Sequence, residues 1–166
     1  MGYTHYYRFL KSEEVIENAY FPIAKELFLG AFPFLPKEYQ DIKGKDGYGE
    51  PVITNEEICF NGNAEKGENY ETFRLRPDMK SIQYCKTGRH AYDAAVCLCL
   101  IAFMALYSDY NFRFDSDGQF FEEGEGDCPR PVDESWKVAK QAFRDYLKSQ
   151  GVKITLYKGW RLDTNV

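Results

Sequence analysis

The sequence predicts an α+β fold, with a largely antiparallel sheet and about three helices in a single domain over residues 1–166. Strand-like and helix-like patterns follow one another without the regular alternation of a parallel α/β protein. A chain of 166 residues fits one domain. The hydrophobic fraction of 44% and the aromatic fraction of 17% are far from the composition of a disordered chain.

The most apolar stretch runs from Ile82 to Tyr107, and its second half, Ala94 to Leu106, carries no charge. A helix that is apolar on every side is a buried one. The run is also shorter than the roughly 20 apolar residues that cross a bilayer. We therefore predict a buried central helix over about 89–107.

The N-terminal segment predicts a strand followed by a helix. Aromatic and polar residues alternate from Tyr3 to Leu10, which favours a strand. Ser12 is a suitable N-cap, and apolar residues then recur at helical spacing until Gly30. Pro22 lies inside this pattern, so we expect the helix either to kink or to restart near Phe21.

The middle of the chain indicates loops and short strands. Pro33 to Gly49 contains turn residues and charges of both signs, which indicates a loop. Val52–Thr54 and Ile58–Phe60 are short strand candidates, and the turn chemistry that follows predicts a hairpin with Tyr70–Leu75. Ser81–Tyr84 is predicted as a strand that leads into the central helix.

The C-terminal third predicts a second hairpin, a helix and a last strand. Asn111–Phe114 and Gln119–Phe121 flank turn residues, and an acidic loop, Glu122 to Asp127, follows. A helix from Asp133, with an apolar face, should end at Gly151. Val152–Tyr157 then alternates as a strand.

Charge and cysteine content restrict the function classes. A net charge of −5 and a pI near 5.2 argue against binding to duplex nucleic acid or to an anionic membrane. The five cysteines have neither zinc spacing nor a CxxC pair, so we expect no metal and no cofactor. The odd cysteine number and the lack of a secretory signal favour a cytoplasmic location.

The junction Cys85-Lys86-Thr87-Gly88-Arg89-His90 is the strongest candidate site. Cationic side chains, a small residue and free backbone amides at a helix start together suit a phosphate or a carboxylate. The P-loop pattern is absent. In the alternative, Lys86 and Arg89 only pair with carboxylates of this acidic chain.

The first strand is expected to complete that site. The chain has two histidines, His5 and His90, and neither belongs to a two-histidine phosphoesterase motif. We predict that the first strand lies beside the junction, because the buried helix is the largest apolar surface that could cover it. The predicted ligand-binding residues are Lys86, Thr87, Gly88, Arg89, His90, Tyr92, His5 and Tyr7.

Two blocks of the sequence resemble a known family. The opening MGYTHYYRF and the block YCKTGRHAYD, with Glu71-Thr72-Phe73, are similar to a set of uncharacterised small bacterial and phage proteins that open MGYTHY(W/Y) and carry a CKT-[AG]-R-x-x-YD block. The chain departs from that pattern at Gly88 and at His90-Ala91. The resemblance implies a cytosolic, phage-type accessory protein, a class in which counter-defence roles are common.

These observations predict a non-catalytic accessory protein that binds a small anionic ligand of nucleotide type. Two alternatives stay open. The first is an acidic inhibitor that engages a basic protein partner through a surface including Glu122 to Asp127. The second is an enzyme acting on phosphoesters, although no catalytic motif supports it.

Overall fold

Antiparallel pairing organises the strands of the protein. The structure, a computed structural model, describes residues 3–10, 14–107, 111–118, 133–151, 154–155 and 161–162. Every strand pair within these residues is antiparallel. The helices are α1 (Glu14–Ala31), α2 (Asp93–Leu106) and α3 (Glu134–Ser149). The strands are β1 (Thr4–Phe9), β2 (Ile42–Lys43), β3 (Val52–Ile53), β4 (Ile58–Gly62), β5 (Phe73–Leu75), β6 (Gln83–Lys86), β7 (Phe112–Ser116), β8 (Ile154–Thr155) and β9 (Arg161–Leu162). The predicted α+β fold is confirmed.

The strands in the described part of the chain form three sheets. The first has the order β6-β1-β7, with His5 of β1 opposite Cys85 on one side and Ser116 on the other. In the second, β4 pairs with β2, β3 and β5. The short strands β8 and β9 pair with each other. The central position of β1 brings the N-terminal segment next to the β6–α2 junction.

Helix α2 is the centre of the hydrophobic core, as predicted. Its residues from Asp93 to Phe103 are all buried. The aromatic side chains of Phe9 and Phe21 pack on Phe103, which joins β1 and α1 to the helix. Within the described residues no helix is both long enough and apolar enough to cross a membrane.

Several predicted boundaries need correction. The central helix begins at Asp93 rather than near Arg89, because Gly88 and Arg89 have φ angles of 60° and 62°, outside the helical region. Helix α1 passes through Pro22 as one element. The strand expected at Ser81–Tyr84 is shifted to Gln83–Lys86.

The C-terminal predictions are met in part. Strand β7 pairs with β1, and its predicted partner Gln119–Phe121 lies outside the described residues, as does the acidic loop Glu122 to Asp127. Helix α3 ends before Gly151, which has a φ of 70° as a C-terminal glycine should. In place of one last strand, the structure has β8 and β9.

Candidate functional site

Two features meet where β1 lies beside the β6–α2 junction. The first is a set of polar side chains that are buried, or half-buried in the case of Ser116, and we call it the His5 cluster: Tyr3, His5, Thr87, Asp93, Cys97 and Ser116. The second is an open cleft on the other side of β6, which we call the Tyr84 cleft. The pairing of Thr4 with Lys86 confirms the prediction that the first strand lies beside the junction.

His5 is the centre of the buried cluster. Alternation along β1 directs Tyr3, His5 and Tyr7 inward, and His5 has no exposed surface. Its Nε2 lies 2.5 Å from Oδ1 of Asp93, and its Nδ1 lies 2.8 Å from Oγ of Ser116. The imidazole therefore connects the first turn of α2 to strand β7.

The hydrogen-bond partners of Ser116 determine where the protons lie in the series Ser116–His5–Asp93. Oγ of Ser116 accepts hydrogen bonds from the backbone N–H of Gly118 and from Nε1 of Trp136, so its own hydrogen is donated to Nδ1 of His5. The second imidazole nitrogen, Nε2, then carries hydrogen and donates to Asp93.

The Asp93 carboxylate is buried but well supplied with donors. Its Oδ1 accepts from His5 and also from Oγ1 of Thr87 at 2.7 Å. It lies in the first turn of α2, where the helix dipole favours an anion. Burial raises the pKa of the Cys97 thiol well above its ordinary value, and the neighbouring Asp93 raises it further. Cys97 is accordingly a neutral thiol against this carboxylate.

Tyr3 and Arg89 close the cluster toward solvent. The guanidinium carbon of Arg89 lies 4.4 Å from the centre of the Tyr3 ring, and the same side chain is ion-paired with Asp133 at 3.3 Å. Within the described residues the buried Tyr3 hydroxyl has no hydrogen-bond partner, and burial raises the pKa of this group well above its ordinary value. A side chain at Gly118 would place its Cβ 2.0 Å from this hydroxyl oxygen.

The donor atoms of the cluster resemble a metal site, but their spacing suits hydrogen bonds. Ligand atoms of His5, Asp93 and Cys97 lie within 4.8 Å of one another. A zinc ion bound to both Nε2 and Oδ1 would hold these atoms about 3 Å apart or more, given zinc–ligand bonds of roughly 2.0–2.2 Å. The observed 2.5 Å between Nε2 and Oδ1 is the distance of a hydrogen bond.

The Ser116–His5–Asp93 chain also resembles a catalytic triad in composition. A serine nucleophile needs an oxygen lone pair directed at the substrate. Both acceptor positions of Ser116 are occupied, by Gly118 and by Trp136. The imidazole is also reversed relative to the usual triad, because Nδ1 and not Nε2 faces the serine. We assign the cluster a structural role, in which it fixes β1, β7 and α2 to one another.

The Tyr84 cleft is open to solvent. Its volume is about 530 Å³, within the range of roughly 300–1,000 Å³ that small-molecule sites occupy. It lies beside β6, the edge strand of the first sheet, and faces the loops around residues 45–46 and 70–74. Its lining residues are Tyr7, Lys45, Asp46, Tyr70, Glu71, Thr72, Arg74, Met79, Gln83 and Tyr84.

Aromatic rings and cations are combined in this cleft. Tyr70 and Tyr84 are 47% and 67% exposed, and both line the cleft. Lys45 and Arg74 line the same space, and Nζ of Lys86 lies 5.9 Å from the centre of the Tyr70 ring.

Carboxylates accompany the cations of the cleft. Nε of Arg74 lies 3.3 Å from a carboxylate oxygen of Glu57, with which it forms an ion pair. The Glu71 carboxylate accepts a hydrogen bond from the backbone N–H of Lys86. The second acid of the lining, Asp46, is exposed.

The loop walls of the cleft are held in place by side chains. The backbone N–H of Asp46 donates to Oγ1 of Thr72, and Nδ2 of Asn69 donates to the carbonyl of Asp46. Asp46 has a φ of 61°, which is uncommon for a residue other than glycine. The side-chain bonds from Thr72 and Asn69 stabilise this conformation, so that the cleft has a defined wall.

The structure separates the predicted site residues into different environments. His5 and Thr87 belong to the buried cluster, Arg89 covers Tyr3, and Gly88 forms the left-handed turn before it. The remaining four are divided between the interior and the cleft side: Tyr7 lines the cleft, Lys86 stands beside Tyr70, His90 pairs with Glu68, and the Tyr92 hydroxyl donates to the carbonyl of Glu71.

Several backbone amides of the junction already have partners. The N–H groups of Thr87 and His90 donate to the carbonyls of Tyr3 and Thr87, and that of Asp93 donates to His90. These groups are therefore not available to an anion. The cationic side chains of the junction lie on different sides. Lys86 lies on the cleft side, next to Tyr70, and Arg89 lies over the Tyr3 ring.

Sequence reasoning missed the residues that now define both features. Asp93 was visible as an acid at the start of the helix, and Ser116 as part of a turn, but their partner His5 is distant in sequence by 88 and 111 positions. Lys45, Arg74 and Tyr84 come from separate segments, and no local pattern connects them.

Comparison with known proteins gave no matching family model, no similar curated protein and no similar solved structure.

Proposed function

We propose that this protein binds a small anionic ligand of nucleotide type in the Tyr84 cleft, without catalysing a reaction. The observation that carries the proposal is the combination, in one cleft of about 530 Å³, of the exposed rings of Tyr70 and Tyr84 with the cations Lys45 and Arg74. A nucleotide has a flat base that can stack on the tyrosine rings and a phosphate that can contact the two cations.

The position of Lys86 adds to this proposal. Its ammonium group stands over the Tyr70 ring at the border between the cleft and the predicted junction site. A phosphate beside Lys86 would meet this ammonium group while the base lies against a tyrosine. The acids of the lining, Asp46 and Glu71, repel additional negative charge, which favours a ligand with one or two phosphates.

The biological form we propose is a cytoplasmic, phage-type accessory protein that sequesters a nucleotide signal, a counter-defence role. This form rests on the resemblance of the MGYTHYYRF and YCKTGRHAYD blocks.

Calorimetric titration tests the binding proposal. AMP, ADP-ribose and cyclic dinucleotides should give saturable heats, and Tyr84→Ala and Arg74→Ala should each weaken binding about tenfold or more, since base stacking contributes roughly 1–3 kcal/mol. Matched controls are Tyr48→Ala, an equally exposed tyrosine outside the cleft lining, and Arg76→Ala, an exposed arginine that pairs with Asp78.

The controls should bind like the wild type. An absence of heat with every one of these ligands would end the proposal, as would equal losses in the Tyr84 and Tyr48 variants. Thermal unfolding of each variant shows whether a loss of binding reflects a loss of folding.

A further inference from the structure

The outer face of the first sheet carries aromatic and cationic side chains in rows. Alternation along β1 directs Thr4, Tyr6 and Arg8 away from the core. Register places Tyr84 opposite Tyr6, and Arg113 opposite Arg8. We call this surface the Tyr6 face; its members are Thr4, Tyr6, Arg8, Tyr84, Lys86, Arg113 and Asp115.

The rings of the face are exposed and close together. Tyr6 is 38% exposed, and its ring centre lies 6.5 Å from that of Tyr84. Ile82, 55% exposed, lies next to them and lines a shallow groove of about 190 Å³ with Tyr6 and Arg8. Aromatic side chains on the open face of a sheet offer flat surfaces on which unpaired bases stack.

The charge of the face is opposite to that of the whole chain. Its three cations, Arg8, Lys86 and Arg113, accompany the single carboxylate Asp115, whereas the chain has a net charge of −5. The strand register places Arg8 and Arg113 directly opposite each other on neighbouring strands.

The Tyr6 face continues into the Tyr84 cleft. Strand β6 is the edge of the first sheet, and its Tyr84 belongs both to the face and to the cleft lining. Lys86, on the same strand, stands beside Tyr70 at the cleft. A chain of nucleotides with one base in the cleft would thus meet Tyr6 next and then Arg8 and Arg113.

We infer that the ligand is a single-stranded nucleic acid segment, which extends from the Tyr84 cleft across the Tyr6 face. This inference rests on the proposed function. A duplex is excluded as the occupant because its bases are already stacked and paired, whereas both surfaces present rings for unpaired bases. The face is roughly 10 Å wide, from three strands about 4.8 Å apart, which suits one strand.

The inference is tested by fluorescence anisotropy with labelled eight-nucleotide RNA and DNA homopolymers, alongside titration of the matching mononucleotide. The oligonucleotides should bind at least tenfold more tightly than the mononucleotide. A double variant, Arg8→Ala with Arg113→Ala, should lower oligonucleotide affinity about tenfold and leave mononucleotide affinity unchanged. Tyr6→Ala should behave in the same way, and Arg76→Ala is the control.

The outcomes separate the two proposals. If the oligonucleotide binds no better than the mononucleotide, or is insensitive to the arginine pair, the extended site is wrong and the cleft proposal stands. If the mononucleotide does not bind at all, the cleft proposal is wrong. Equally tight binding of an acidic peptide of the same length would overturn the assignment of nucleic acid as the occupant. A difference between the RNA and DNA homopolymers would identify which of the two is preferred.

Discussion

The two histidines of the chain occupy opposite environments. His5 is fully buried and bonded to Asp93 and Ser116, whereas His90 is partly exposed and pairs with Glu68 at 3.2 Å. The alternation of side chains along β1 indicates, from the sequence alone, that His5 points inward. The identity of its partners depends on the pairing of distant strands, which no local spacing encodes.

Replacement of each histidine should give very different losses of stability. His5→Ala removes the imidazole that bonds both the buried Asp93 carboxylate and the Ser116 hydroxyl, and it leaves Thr87 as the remaining partner of Oδ1 of Asp93. We therefore expect the free energy of unfolding to fall by about 3 kcal/mol or more. His90→Ala removes a surface pair and should cost less than about 1 kcal/mol. Urea denaturation measures both. Similar losses for the two variants would contradict the central place given to His5.

Buried thiols make stability sensitive to alkaline pH. Burial raises the pKa of Cys85, Cys97 and Cys99 above the ordinary value of 9.0. Above that pH the unfolded chain releases these protons and the folded protein keeps them, so the free energy of unfolding falls as the pH rises. The fall should reach roughly 1.4 kcal/mol per pH unit for each thiol.

Urea denaturation of the reduced protein at pH 8 and at pH 10 measures this dependence. Cys97→Ala is the matched variant. Its free energy of unfolding should decrease less between these two pH values, by the contribution of one thiol. An identical pH dependence in the wild type and the variant would show that Cys97 ionises as readily in the folded state as in the unfolded one.

At the scale of elements, the sequence predicted helices and strands better than it predicted which of them pair or contact each other. The patterns of β1, α1, β4 and α3 were each recognised because periodicity and capping residues are local. The pairing of β7 with β1 was missed, since the turn after Phe114 indicated a hairpin. The walls of the Tyr84 cleft were also invisible, because they depend on bonds from Thr72 and Asn69 to a loop more than 20 residues away.

The contact between α1 and α3 depends on a glycine. A Cβ at Gly30 would lie 2.3 Å from Cζ of Tyr146. Gly30→Ala should therefore lower the free energy of unfolding by about 1–3 kcal/mol, although alanine is the better helix former.

A double-mutant cycle with Tyr146→Ala tests this contact. In the Tyr146→Ala background the change at Gly30 should be neutral or stabilising. The same cost in both backgrounds would mean that Gly30 and Tyr146 do not touch.

At the scale of the whole molecule, the net charge of the chain does not indicate the charge of an individual surface. A net charge of −5 correctly directs attention away from duplex nucleic acid as a partner, but it says nothing about a single face. Strand register, which the sequence does not reveal, places Arg8 opposite Arg113 and Tyr6 opposite Tyr84.

The proposed nucleic acid interface predicts a limited salt dependence. The three cations of the Tyr6 face should contribute about −2 to the slope of the logarithm of the binding constant against the logarithm of the salt concentration, since each phosphate contact with a single strand contributes roughly −0.7. The Arg8→Ala, Arg113→Ala double variant should make this slope less steep by about 1.4. Anisotropy titrations between 50 and 200 mM salt, about the range in which such contacts are measured, supply this slope. An unchanged slope in the double variant would show that the arginines do not contact phosphate.

The central claim is that a nucleotide occupies the Tyr84 cleft, and an NMR titration of the ¹⁵N-labelled protein with AMP tests it most directly. The account predicts saturable shifts of the backbone amides of Asp46, Glu71, Thr72 and Tyr84, which line the cleft, with little change at Gly49 and Gly67, which lie outside its lining. Shifts confined to Gly88, Arg89 and Ala91 would place the ligand at the junction instead, and no shifts at millimolar AMP would contradict nucleotide binding altogether.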